Sequence, residues 1–159
     1  MIRTSWSWCK LVASMYMEDV KALLNAAADF HGHLGPFLAL GVRTSLAGLR
    51  ELKAVPGDTK LRVTVMLKYA VPFSCMLDGV QAVTKCTVGN KRLAWKESEE
   101  MGVVFTLNEK ANVEVIVNRA TIQKLGRKLA QKPSELTVRR LALDVTTMPE
   151  KELFSVKRV

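Results

Sequence analysis

The chain has 159 residues, 48% of them hydrophobic and 25% charged, which is one ordinary domain with enough apolar content to fold without disulfides or metal and excludes wholesale disorder. No apolar run approaches the ~18 residues that a membrane-spanning helix needs. Bases outnumber acids by 24 to 15, a net charge of +9 that would suit an acidic partner such as nucleic acid.

Residues 1–16 hold Trp6 and Trp8 beside Arg3 and Lys10 and contain no acid. They read as a leader or arm, or as an extension upstream of a true start at Met15 or Met17, ahead of a core domain over 17–159. The apolar part is too short and too broken by Ser5, Ser7 and Lys10 for a secretory signal. Val20, Leu23, Leu24, Ala27 and Phe30 then recur at helical spacing and predict a helix to about Asp29. Gly35-Pro36 reads as a restart, because proline suits the first helical turn, and a second helix carries Leu38, Val42, Leu46 and Leu49 to about Lys53. Val55-Pro56-Gly57-Asp58 is turn chemistry. Alternation of Leu61, Val63, Val65, Leu67 and Tyr69 with more polar neighbours predicts a strand with one buried face. After Pro72, Ser74 is a candidate cap for a third helix over Cys75 to about Thr84. Thr87 to Lys91 reads as a turn between short strands, with Leu93 and Trp95 facing the core. Gly102–Leu107 and Val113–Val117 predict two antiparallel strands joined across residues 108–112. Two basic helices follow, at about Ala120–Gln131 and Ser134–Leu143, and Leu153–Val159 reads as a last strand. Helices and strands are partly segregated without βαβ alternation, which predicts a single α+β domain with an antiparallel or mixed sheet packed by helices.

The chain has two histidines, and both lie in His31-Gly32-His33 at the break between the first two helices. Gly32 permits backbone angles that turn both imidazoles toward one point. Cys75, in the first turn of the third helix, is placed where a thiol pKa falls and a thiolate can act as nucleophile or metal ligand; its plainer reading is a small buried apolar residue. Asp78, one turn on, shares its face and could accept a hydrogen bond from a histidine. Imidazole and thiolate together suit zinc or another divalent metal of similar softness. Cys9, Cys75 and Cys86 form no CxxC pair, so neither a disulfide framework nor a zinc ribbon is written here, and a reducing, cytoplasmic compartment is the simplest reading.

Residues Phe30 to Gly41, with Phe30-His31-Gly32-His33 and Pro36 in register, resemble the FHGHxCPGxxxG signature of the FmdE-like family of formylmethanofuran dehydrogenase proteins. A second block, Cys75, Asp78, Gly79, Gln81, Thr84, Cys86, Thr87, Gly89 and Lys91, resembles that family's CxxDxxQxxTGCTxGxxN pattern, and Met148-Pro149-Glu150 to Leu153-Phe154 is similar to its ending. The resemblance implies an α+β core, commonly a homodimer, from archaea or anaerobic bacteria, with a metal- or ligand-binding cleft. It also implies an association with the molybdenum- or tungsten-dependent enzyme that reduces carbon dioxide onto methanofuran, and hence a redox-enzyme subunit as partner. On this resemblance His31, His33, Cys75 and Cys86 are the candidate metal ligands, and Asp78, Gln81, Thr87 and Lys91 the candidate lining residues; no residue is assigned a catalytic role. The chain departs from the signature at Gly35, where the family has cysteine, at Phe37, where it has glycine, and at Lys85, where the second block has glycine. A site that lacks the cysteine is expected either to keep a metal on fewer ligands or to hold a small anion at the helix N-terminus.

The alternative function class rests on charge. Arg119, Lys124, Arg127, Lys128, Lys132, Arg139 and Arg140 stand against Glu135 alone, a basic surface for nucleic acid or for docking on an acidic subunit. No aromatic residue occurs between Phe105 and Phe154, so bases would find no stacking platform there and binding would be led by phosphate.

Overall fold

The computed structural model describes residues 19–159; the readings of residues 1–16 and of the true start lie outside the described residues. The elements are α1 (residues 19–31), α2 (Pro36–Leu52), β1 (Leu61–Leu67), α3 (Cys75–Thr84), β2 (Leu93–Glu97), β3 (Gly102–Leu107), β4 (Ala111–Val117), α4 (Arg119–Ala130), α5 (Glu135–Thr147), α6 (Glu150–Leu153) and β5 (Phe154–Arg158). The five strands form one mixed sheet in the order β2-β1-β3-β4-β5. β1 and β2 run parallel, and every other neighbouring pair is antiparallel. The fold is the α+β class expected. One local βαβ unit, β1-α3-β2, departs from the expected segregation: a parallel pair needs a crossover, and α3 supplies it.

The core lies between one sheet face and α2. Val63, Val65, Val103, Phe105, Val113 and Val115 are buried on alternate strand positions, as a half-covered sheet requires. α2 is enclosed almost all round, with 13 of its 17 residues buried, and touches α3, α5, β3 and β4. Its one buried charge is accommodated at the end of α5, where Arg43 donates to the carbonyls of Val145 (3.0 Å) and Thr146 (2.5 Å), a C-terminus whose dipole favours a cation.

α2 and α3 cross at glycine on both sides. A Cβ at Gly41 would collide with the carbonyl of Met76, and one at Gly79 with the carbonyl of Leu38. The two backbones therefore approach as closely as helices can, and this contact holds the start of α2 against the start of α3.

Some expectations shift. Ser74 does not cap α3: it is itself helical (φ −62°, ψ −18°) and its side chain caps nothing. The chain already turns over residues 70–74, where the Cys75 amide donates to Pro72 O (3.2 Å) and the Met76 amide to Phe73 O (3.1 Å), so the first α3 amides are satisfied by backbone. Ser134 does cap α5, accepting from the Thr137 amide at 3.3 Å. Leu93 faces the core as expected, but Trp95 is 44% exposed and stacks on Tyr69 with ring centroids 4.1 Å apart.

Candidate metal centre

The α1–α2 break aims both histidines at α3. The Gly32 amide donates to Ala28 O (2.8 Å) and closes α1, and Gly32 then takes φ +99°, a conformation that side-chain-bearing residues rarely adopt. The chain reverses there, leaving the His31 and His33 rings 4.5 Å apart between centroids and tilted by 42°. One donor atom from each of His31, His33 and Cys75 lies within 4.8 Å of the other two.

The orientation of His31 is fixed from behind. Its Nδ1 lies 2.6 Å from Asp78 Oδ2, and Asp78 Oδ1 accepts from Gln81 Nε2 at 3.1 Å. With Nδ1 committed to the carboxylate, Nε2 is the nitrogen His31 has to offer, and that atom is buried without a hydrogen-bond partner among the described residues. A buried acceptor left unmade costs about 1–3 kcal/mol, a cost that a bound group at this position would relieve. Carboxylate–histidine pairs of this kind set the tautomer and basicity of metal-binding imidazoles. The donor set of two imidazoles and one thiol fits zinc and its neighbours.

Burial holds the Cys75 thiol above the ordinary thiol range, and the charge of Asp78 adds to the effect. The sequence led to the opposite expectation, a thiol lowered by the α3 N-terminus. That expectation fails because burial and the charge of Asp78 outweigh the lowering that the Cys75 backbone amide provides.

Two cavities meet at this group. The larger, about 710 Å³, is bounded by His33, the Gly35–Phe37 start of α2, the 71–75 turn and the facing sides of α4 and α5. The smaller, about 290 Å³, is lined by His31, Cys75, Asp78 and Gln81 below the Tyr69–Trp95 stack. Cys75 borders both.

The other sequence-predicted residues fall elsewhere. Cys86 is fully buried beyond the far end of α3, its Sγ 3.6 Å from Leu61 O, and does not join the three-residue group. Thr87 is spent on its own turn, where it exchanges hydrogen bonds with Asn90 (2.9 and 3.1 Å), and Lys91 closes that turn by donating its amide to Val88 O at 3.1 Å; neither lines the cleft. Phe37, in place of the signature glycine, is 1% exposed and meets Phe73 edge-on at 5.1 Å. Lys85 occupies a left-handed position (φ 60°, ψ 13°), the helix-ending conformation that glycine adopts most cheaply. Sequence reasoning missed the contribution of α4 and α5 to the larger cavity. A signal was present in Gly126 and Ala130, small residues one turn apart on α4 beside Leu129.

Three comparisons bear on this geometry. The family model described as FmdE, Molybdenum formylmethanofuran dehydrogenase operon, matches residues 30–155. A protein of Archaeoglobus fulgidus named probable S-adenosyl-L-methionine-binding protein is 34% identical over 110 residues, covering 68% of this chain and 30% of that one. This chain therefore spans under a third of the length of that relative. A crystal structure of a tungsten formylmethanofuran dehydrogenase FmdE-like protein from Syntrophus aciditrophicus superposes with a TM-score of 0.61 at 17% identity, covering 88% of this chain and 71% of that one. It shares the fold. With the family model spanning most of the sequence, both histidines and Cys75 included, the chain belongs to the FmdE family.

Proposed function

We propose that this chain is an FmdE-family accessory protein that binds a divalent metal, zinc the first candidate, through His31, His33 and Cys75, with Asp78 and Gln81 orienting His31. The observation that carries this reading is the buried, unpartnered Nε2 of His31, held toward the other two donors by the Nδ1–Asp78 contact. The metal would supply Lewis acidity or a ligand-exchange position; the protein residues supply the donors and the tautomer, with apolar walls on the side of the larger cavity. We carry over from the family description a link to molybdenum or tungsten formylmethanofuran dehydrogenase-type one-carbon metabolism, with a homodimer and contact with that enzyme's subunits as parts of the same proposal. S-adenosyl-L-methionine belongs to a relative of which this chain spans 30%, and the apolar walls of the larger cavity favour a different kind of occupant.

The test is metal stoichiometry on untagged protein reconstituted under reducing conditions with zinc or cobalt. About one ion per chain is expected. His33→Ala and Cys75→Ala should each weaken affinity by more than the ~10–100-fold typical of an outer-shell partner, whereas Cys86→Ala should leave it unchanged. A wild-type chain that takes up no metal overturns the proposal.

A further inference from the structure

We infer that the larger cavity takes a small molecule with an apolar body and a monoanionic donor head, a thiolate or a carboxylate, whose head completes the donor set beside Gly35. This inference rests on the metal reading above and names what that metal would be shared with.

Three protein donors leave one position of a tetrahedral site to an outside ligand. The structure gives that position a direction. A Cβ built on Gly35 would point at the metal group, 3.5 Å from His33 Nε2, and apart from its chain neighbours nothing else among the described residues but the same ring lies within 4 Å. Gly35 has extended backbone (φ −131°, ψ 162°), so any residue could stand there without strain. A side chain at position 35 would fill this space; glycine leaves it open. The space is continuous with the larger cavity, because His33, Gly35 and Cys75 all border it.

The cavity indicates what the rest of the ligand is like. At about 710 Å³ it is the size of ordinary small-molecule sites. Leu34, Phe37, Phe73, Leu129 and Val138 give it apolar walls, and the charges among its lining residues are Glu135 and Arg139, both solvent-exposed residues of α5. An apolar body is therefore favoured inside. The head is fixed by charge: a divalent ion on two neutral imidazoles and one thiolate keeps a single positive charge. The Asp78 carboxylate that offsets this charge lies behind the His31 ring, so on the cavity side the ion still presents its positive face to one anionic donor. The start of α2, which has no side-chain cap and no acid in its first turn, adds a favourable field for an anion.

The probes are two homologous series, n-alkanethiols and n-alkanoates of three to eight carbons, titrated into the cobalt-loaded protein and followed by the visible cobalt spectrum. Each added methylene should tighten binding about fourfold, the equivalent of ~0.8 kcal/mol per buried methylene, until the cavity is full. Two variants locate the parts. Gly126→Leu projects into open cavity, since a Cβ there meets nothing closer than Phe73 Cε1 at 4.0 Å; it should keep cobalt and flatten the chain-length dependence. Gly35→Cys should keep cobalt, carry an added sulfur-to-cobalt band without ligand, and lose the spectral response to both series. Absence of cobalt uptake by the wild type overturns the metal reading and this inference with it. Cobalt uptake with no spectral response, with affinity independent of chain length, or with an unchanged response in Gly35→Cys leaves the metal reading standing and overturns this inference alone.

Discussion

Asp78 reaches the candidate centre in two ways that a single substitution separates. It holds His31 through Nδ1, and its charge helps keep the Cys75 thiol protonated. Asp78→Asn should weaken zinc binding by ~10–100-fold through loss of the carboxylate that orients His31. The same change should let Cys75 react with an alkylating reagent at lower pH than in the wild type, because the neighbouring anion is gone. A thiol that titrates unchanged would show that burial alone sets it. A second prediction concerns Lys85, whose left-handed backbone is strained for a residue with a Cβ. Its Nζ donates to Ala82 O at 2.7 Å and recovers part of that cost. Lys85→Gly should therefore raise stability in urea denaturation, by no more than ~1 kcal/mol; a loss of stability would show that the Nζ contact outweighs the strain. At this scale the sequence was informative where residue identity was scarce. The chain's two histidines flank a glycine, and the fold brings both to Cys75 in the candidate group. Cys86 pairs with Cys75 on residue type alone, but residues eleven apart along a helical path lie roughly 16 Å from each other, too far to share an ion.

The contact between α2 and α3 is the element-level feature that assembles the centre, since His31 and His33 lead into one helix and Cys75 and Asp78 lie on the other. Gly41→Ala or Gly79→Ala forces a Cβ into the facing backbone, where no side chain can yield, so each should cost at least the ~1–3 kcal/mol of core overpacking. The loss should also separate the donors: zinc affinity is expected to fall in Gly41→Ala even in whatever fraction stays folded, and unchanged affinity would disconnect the crossing from the site. A second tie joins α2 to α6, where Arg50 donates to both oxygens of Glu150 at 2.8 and 2.9 Å. This pair holds the Glu150 carboxyl below its ordinary range. A carboxyl depressed in the folded state adds stability above its unfolded pKa, and the contribution fades as pH falls through the folded value. Glu150→Gln should thus cost under ~1 kcal/mol at pH 7 for so exposed a pair, with the difference from wild type vanishing in acid. Most helices and strands were legible within a few residues because their apolar periods are regular, while the four-residue α6 was not foreseen. The α2–α3 approach was not, because Gly41 and Gly79 lie 38 positions apart and only the fold brings them together. The parallel β1–β2 pairing escaped for the same reason: periodicity reports a buried face but not which strand lies alongside.

Across the whole molecule, charge and chemistry occupy different regions. The bases of α4 and α5 are exposed while Thr121 and Leu125 face inward, an ordinary solvated helix face, and Arg139 is the one among them that borders the larger cavity. Among the described residues no helix is long and apolar enough to cross a membrane. The candidate centre instead joins the α1–α2 break to α3, and the wall shared with α4 and α5 ties it to the remaining helices. An ion held there should therefore stabilise the fold as a unit, because it binds the assembled donors and not the unfolded chain. With free zinc at about 100 times its Kd, linkage adds ~2.7 kcal/mol. For a domain of this length that raises the thermal midpoint by roughly 5–10 °C. Scanning calorimetry with zinc and then with excess chelator should show this shift and its reversal in the wild type and in Cys86→Ala. His33→Ala and Cys75→Ala should melt at the same temperature with or without zinc. If both variants keep the full shift, the ion that stabilises the protein lies elsewhere on it.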